Sequence, residues 1–170
     1  TWIEESGFLE GPVMITNTWS VGVVRDAVNS WFEEVLKQEI PWHQPVVAET
    51  WDGFLNDIAG QHVKKEHAFQ AMDSAQGGPV AEGNVGGGTG MVCFGFKGGV
   101  GTASRVLDAD RGGYTVGVLV QCNFGRRPDL RVSGVPVGQE IPDLLPCIAS
   151  TDPAIRPQTP RCAAAKSSGG

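Results

Sequence analysis

Two short segments hold the residues best placed for chemistry. In AETWDG, Glu49 and Trp51 stand where a short apolar run, Val46 to Ala48, opens into a glycine-containing turn. An acid beside an aromatic can hold an ammonium group through a charge-assisted hydrogen bond, about 1.5–3 kcal/mol, together with a cation–π contact. The same acid can equally be a helix cap or a plain surface charge. In GVLVQCNFG, Asn123 follows a long apolar run and precedes Phe124-Gly125. An amide there can donate to a developing oxyanion, a contact whose removal typically costs about 10²–10³ in rate. Asparagine at a strand end is also a common turn former.

Other candidate constellations are weaker. The run GNVGGGTG, Gly83 to Gly90, suggests backbone amides cradling a phosphate, but a complete G-x-G-x-x-G is missing. It also leads into an apolar, strand-like run where a nucleotide loop leads into a helix. A loop bringing backbone close to a cleft, or a solvent turn, fits better than nucleotide binding. Cys93, Cys122, Cys147 and Cys162 have no C-x-x-C spacing. The first two lie in apolar runs and read as buried free thiols. Cys147 and Cys162 flank a proline-rich stretch and are candidates for a pair, which geometry would have to permit. His43, His62 and His67 are too irregularly spaced to join the cysteines in a metal site. They read as solvated or hydrogen-bonded, and no cofactor is implied.

Several elements must position Glu49 and Asn123. Pro12 to Thr18, PVMITNT, reads as a strand. From Ser20, Val24, Val28, Trp31, Phe32 and Val35 recur at helical spacing, with a stop expected at Ile40-Pro41. PVVAETW reads as a short strand of the buried type, and residues 64 to 76 as a second helix halted by Gly77-Gly78-Pro79. The glycine run of 83–90 is too glycine-rich for regular structure. Met91 to Phe96, Gly101 to Leu107 and Tyr114 to Cys122 read as strands, the first two joined as a hairpin across Lys97-Gly98-Gly99. We expect the runs 91–97, 102–107 and 114–122 to neighbour one another in one sheet with little exposed apolar surface. Beyond Gly138, five prolines from Pro142 to Pro160 break any helix or central strand. The division expected is a core over 1–138 and a proline-rich tail over 139–170.

Composition narrows the class of protein. With 41% hydrophobic and 19% charged residues in 170, the chain is globular and suits one domain. Glycine is 24 of 170, about twice the usual ~7%, so turns and close backbone approaches matter. A net charge of -6, with basic residues scattered, argues against a nucleic-acid partner. No apolar stretch approaches the ~20 residues of a membrane span, and no secretory signal pattern stands at Thr1.

TWIEESG (1–7), GPVMITNT (11–18), PVVAETWDGFLND (45–57), GNVGGGTGM (83–91), GFKGGVGTASR (95–105) and YTVGVLVQCNFG (114–125) occur in an order that resembles the α-part of the L-aminopeptidase D-esterase/amidase family. That family includes the β-peptidyl aminopeptidases. The likeness runs over roughly residues 1–138. It implies an α/β fold, a four-layer αββα sandwich of the N-terminal-nucleophile type. It implies a precursor that cuts itself before a serine, which becomes the N-terminus and nucleophile of a smaller β-part.

Position by position, the resemblance implies that Asn123 is an oxyanion donor, Glu49 binds the substrate's free amine and Trp51 belongs to the same pocket. The closing Ser168-Gly169-Gly170 fits a cleavage junction at Gly170, with the nucleophile after it, although AAAKSSGG by composition alone reads as a flexible terminus. The implied partners are the serine-bearing β-part, a small peptide, amide or ester substrate, and further copies in an oligomer. Without the β-part the chain is expected to be inactive. Two alternatives remain at this stage. One is an acyltransferase of the ornithine acetyltransferase type, and the other a non-catalytic binding subunit.

Overall fold

The computed structural model describes residues 2–38, 44–143 and 145–147. Contacts divide the chain into two units, one of residues 1–91 and 98–123, the other of residues 92–97 and 124–170.

The first unit begins with a short helix, α1 (Trp2–Ser6), which composition did not announce. Strand β1 (Val13–Asn17) follows, then a 3-10 turn (Thr18–Ser20) and helix α2 (Val21–Glu34). The apolar periodicity of α2 is realised as a buried stripe of Val24, Ala27 and Val28. Val24 and Ala27 pack with Ala68 of α3 (Lys65–Asp73) and with the half-buried Met14, Val47, Val63 and Phe69. Burying each valine contributes roughly 1.5–3 kcal/mol. Two polar pins tie α2 to α3, Trp31 Nε1 donating to Asp73 at 2.7 Å and Lys65 Nζ to Glu34 at 2.6 Å. Helix α2 closes at Glu34, short of Ile40-Pro41, which lie outside the described residues. Lys37, at φ 56°, breaks the helical path before the proline is reached.

Strand β2 (Val46–Thr50) pairs parallel with β1, Val13 opposite Val46 through Asn17 opposite Thr50. Parallel neighbours need a crossover, and α2 lies within it. The C-terminal ends of both strands therefore lie side by side. Burial of β2 is partial, with Ala48 and Glu49 exposed, so the fully buried strand expected there is not formed.

Beyond α3, the glycine run is not irregular throughout, because Gly86–Gly90 forms a 3-10 turn. Gly83 N–H and C=O both bond to Val100, which clips the run onto the start of a hairpin. That hairpin joins β5 (Val100–Val106) antiparallel to β6 (Thr115–Gln121), Val100 opposite Gln121 and Val106 opposite Thr115. Two expectations fail here. The run 91–97 is not a neighbour of β5 or β6, since Val92–Cys93 (β3) and Phe96–Lys97 (β4) pair with each other as a separate hairpin. Nor is the apolar surface covered, for Val106, Val116, Val118, Leu119 and Val120 are all exposed. A two-stranded ribbon has no layer on either face among the described residues, so β-branched composition does not translate into burial.

Glu82 fastens the ribbon further. Its carboxylate accepts from Thr102 N–H at 2.8 Å and from the Thr102 hydroxyl. These bonds, the hydroxyl first, hold its pKa below the ordinary 4.5. The group is depressed, so whatever it contributes is complete above 4.5 and is lost as pH falls through the lowered value. We expect a carboxyl carbon titration by NMR to place Glu82 below 4.5, and Thr102→Val to move it up toward 4.5. An unchanged midpoint in the variant would show that the hydroxyl does not hold the carboxylate.

In the second unit, the turn between β3 and β4 is made by Phe94 and Gly95 with φ of 51° and 70°, the pair of positive values that a two-residue type I′ hairpin demands. Phe94 is held there by its N–H bond to Phe124 O at 2.8 Å and an edge-on contact with the Phe124 ring. Buried Arg127 lies over the Phe96 ring, 3.4 Å from its centre. Its guanidinium donates to the carbonyls of Phe94, Gly95, Ile141 and Asp143. Gly138, in the one-turn helix α4 (Val137–Glu140), can only be glycine, because a Cβ would collide with Arg127 O.

Cys93 and Cys122 are disulfide-bonded, as is Cys147, which corrects the free-thiol reading. An apolar run shields a disulfide as readily as a thiol, so the surroundings could not tell them apart. Cys162 lies outside the described residues. His62 pairs with Asp57 at 3.0 Å and His67 Nδ1 accepts from Lys64 N–H, in line with hydrogen-bonded histidines, while His43 lies outside. Among the described residues no helix is long and apolar enough to cross a membrane.

Candidate active site

The side-by-side strand ends of β1 and β2 form the floor of a candidate site, and three consecutive residues at the end of β2 are each pinned from another element. Thr18, just past β1, donates its hydroxyl to Glu49 Oε2 at 2.6 Å. Gln121, the last residue of β6, donates Nε2 to Thr50 Oγ1 at 2.6 Å. Asn123 donates Nδ2 to Trp51 O at 2.8 Å. Asn123 is thus tied directly to Trp51, two residues beyond Glu49, whereas Glu49 is held by Thr18.

The chemistry left over is specific. An asparagine amide nitrogen has two hydrogens. One of Asn123's is directed at Trp51 O, which fixes the amide plane, and the other can donate elsewhere. Glu49 is exposed and engages Thr18 with one oxygen, and among the described residues Oε1 has no hydrogen-bond partner and can take a cation. Trp51 is about half exposed, at 51%, and Gly53 lets its ring fold close, since a Cβ there would lie 2.8 Å from Trp51 Cζ2.

A cavity of about 410 Å³ is lined among others by Asn17, Thr50, Asp52, Asn56, Gly87 and Met91; Glu49, Trp51 and Asn123 are not among its lining residues. The glycine turn reaches it as backbone. A Cβ on Gly87 would lie 2.5 Å from Gln121 Oε1, and one on Gly90 would lie 2.7 Å from Asp52 Cβ. Asp52 is 7% exposed, and its Oδ2 accepts from Asn17 at 3.3 Å and Asn56 at 2.9 Å. Its carbonyl accepts from Leu55 and Asn56 N–H. Asp52 therefore braces the turn after β2. Asp52, Thr18 and Gln121 were not singled out from the sequence. Each lies within two residues of a named one or at the edge of a quoted segment, but no spacing rule marks a brace. Gly170, the expected junction, lies outside the described residues.

The model of peptidase family S58 matches residues 1–154. The chain belongs to peptidase family S58. It is 67% identical over 140 residues to the β-peptidyl aminopeptidase BapA of Sphingosinicella microcystinivorans, covering 82% of this chain and 35% of that protein. The BapA of Sphingosinicella xenopeptidilytica is 47% identical over 162 residues, 92% of this chain and 40% of the relative. Among solved structures, a Burkholderia sp. β-aminopeptidase matches with TM-score 0.78 and 58% identity, over 82% of this chain and 40% of that one. The L-aminopeptidase D-Ala-esterase/amidase of Ochrobactrum anthropi matches with TM-score 0.78 and 48% identity, over 85% of this chain and 41% of that one. The latter is described as a prototype for the serine aminopeptidases and a variant among the Ntn hydrolase fold.

The family resemblance and the fold class expected from the sequence are therefore borne out, and the S58 chain shares, over the matched residues, the fold of aminopeptidases described as a variant of the Ntn hydrolase fold. It spans about 35–40% of the length of these curated relatives.

Proposed function

We propose that this S58 chain is the α-part of a self-processing serine aminopeptidase or amidase, acting on small peptides, amides or esters whose free amine it holds. The observation that carries the reading is the Asn123 Nδ2 to Trp51 O bond, which ties the oxyanion donor to the aromatic residue two positions beyond the amine anchor Glu49. The nucleophile is a serine that becomes the first residue of the β-part after cleavage at Gly170. Its hydroxyl oxygen attacks the scissile carbonyl and the hydroxyl proton passes to a base, in the assembled enzyme ultimately to the leaving amine. Asn123's second amide hydrogen stabilises the tetrahedral oxyanion, and water then hydrolyses the acyl-enzyme.

Glu49 takes the substrate ammonium on Oε1, with the Trp51 face beside it. Relatives at 67% and 47% identity named β-peptidyl aminopeptidases favour a peptide with an N-terminal β-amino acid as substrate. The tail 139–170 leads to the junction, and αβ units assemble further.

The test is made on the full-length protein. Intact mass should show two chains, the smaller starting with serine. Glu49→Gln should lower kcat/KM for aminoacyl amides by up to about 3 kcal/mol, roughly 150-fold, the value of a hydrogen bond to a charged group. It should leave an ester of the same acyl group without the amine nearly untouched. Equal losses on both substrates would remove Glu49 as the anchor. Acyl transfer to ornithine in place of hydrolysis would turn the assignment to an acyltransferase, and a single uncleaved, inactive chain to a binding subunit.

A further inference from the structure

We propose that Thr18 is a positioning residue for the amine anchor, holding Oε2 of Glu49 so that Oε1 faces the substrate ammonium. The inference rests on the reading of Glu49 given above and adds to it the group that makes the anchor directional.

The hydroxyl of Thr18 lies 2.6 Å from Oε2, within the range of a short charge-assisted bond in which the hydroxyl donates to the carboxylate. Its geometry is set by the backbone. Parallel pairing fixes Thr16 opposite Glu49, and Thr18 opens the 3-10 turn just beyond, so the hydroxyl arrives from a rigid strand end anchored by α2. Glu49 is exposed, and among the described residues Thr18 is its one hydrogen-bond donor. A free glutamate side chain would sample several rotamers, and ordering it when substrate binds would weaken affinity. A carboxylate already held by one oxygen has given up that freedom before substrate arrives, and its second oxygen points in a fixed direction. Thr18 touches neither substrate nor the reacting carbonyl in this scheme. It acts through Glu49, on binding, and not on the oxyanion step governed by Asn123.

The full-length, self-processed enzyme is assayed with an aminoacyl nitroanilide and with an ester of the same acyl group lacking the amine. Thr18→Val keeps the shape and removes the donor. It should raise KM for the amine-bearing substrate about tenfold, the loss of one charge-assisted bond, with kcat within about twofold. The amine-free ester should be unchanged, and Thr18→Ser should restore the wild-type KM. Equal losses on both substrates, or failure of serine to rescue, would assign Thr18 a purely structural role and overturn the proposal. Wild-type KM in Thr18→Val alongside an impaired Glu49→Gln would overturn it while leaving the anchor in place. If Glu49→Gln itself does not distinguish the two substrates, the anchor reading fails and this one with it.

Discussion

Replacing Asn123 with alanine is expected to lower kcat of the assembled enzyme about 10²–10³-fold, with KM for small substrates changed far less. The expectation follows from how the amide is held. Trp51 O takes one of its hydrogens at 2.8 Å and so sets the direction of the other. A donor fixed before the reaction needs no reorganisation when negative charge develops, and its contact strengthens only in the transition state. Alanine also releases Trp51 O, so the loop after β2 loosens, and the split between kcat and KM separates that loss from loss of the oxyanion donor. Asn123→Asp keeps an acceptor-sized side chain but, once ionised, sets a negative charge against the oxyanion, and it should be at least as inactive as alanine. A loss confined to KM in Asn123→Ala, with kcat preserved, would show that the amide only braces Trp51 and that the oxyanion is held by other donors.

Parts of this arrangement were legible because local rules dominate them. The spacing of Val24 and Val28 forces one face of α2 inward whatever else surrounds it. The β-branched content of residues 115–121 favours a strand, and one forms over Thr115–Gln121. Glu49 and Asn123 stood out because an acid and an amide at strand ends have few neighbours that conceal them. What was misread depended on partners distant in sequence. Val106, Val116 and Leu119 carry the composition of a covered sheet, yet only a ribbon is formed among the described residues, so their exposure could not be inferred from their type. The hairpin was placed at Lys97-Gly98-Gly99, where glycine is dense. The turn forms at Phe94-Gly95, where an aromatic takes φ of 51° because Phe124 secures its N–H and its ring. A side-chain contact thus outweighed backbone preference. Thr18, Gln121 and Asp52 act by reaching across from other elements, and such reach is a property of the fold and not of spacing along the chain.

Arg127 gives the largest expected effect on stability. Its buried guanidinium bonds to the carbonyls of Phe94, Gly95, Ile141 and Asp143 and stacks on Phe96, so one side chain joins the β3–β4 hairpin to the segment after α4. Removing it takes the guanidinium donor from these part-buried carbonyls, each loss costing about 1–3 kcal/mol where the carbonyl stays dry. Water will enter and recover part, so Arg127→Ala should destabilise this unit by roughly 3–5 kcal/mol, at the upper end for single substitutions. Lysine keeps the charge but presents a compact ammonium that cannot span both sides of the fork or stack as a plane. Arg127→Lys should therefore lose about 1–3 kcal/mol, as removal of one or two buried bonds would. Hydrogen exchange resolves where the loss falls. Amides of 92–97 and 137–143 should lose protection together, because the arginine is the tie they share, while β1, β2 and α2 keep theirs. If the alanine variant left both segments protected, or lysine matched arginine, the guanidinium would be filling space there and would not be the tie between the two segments.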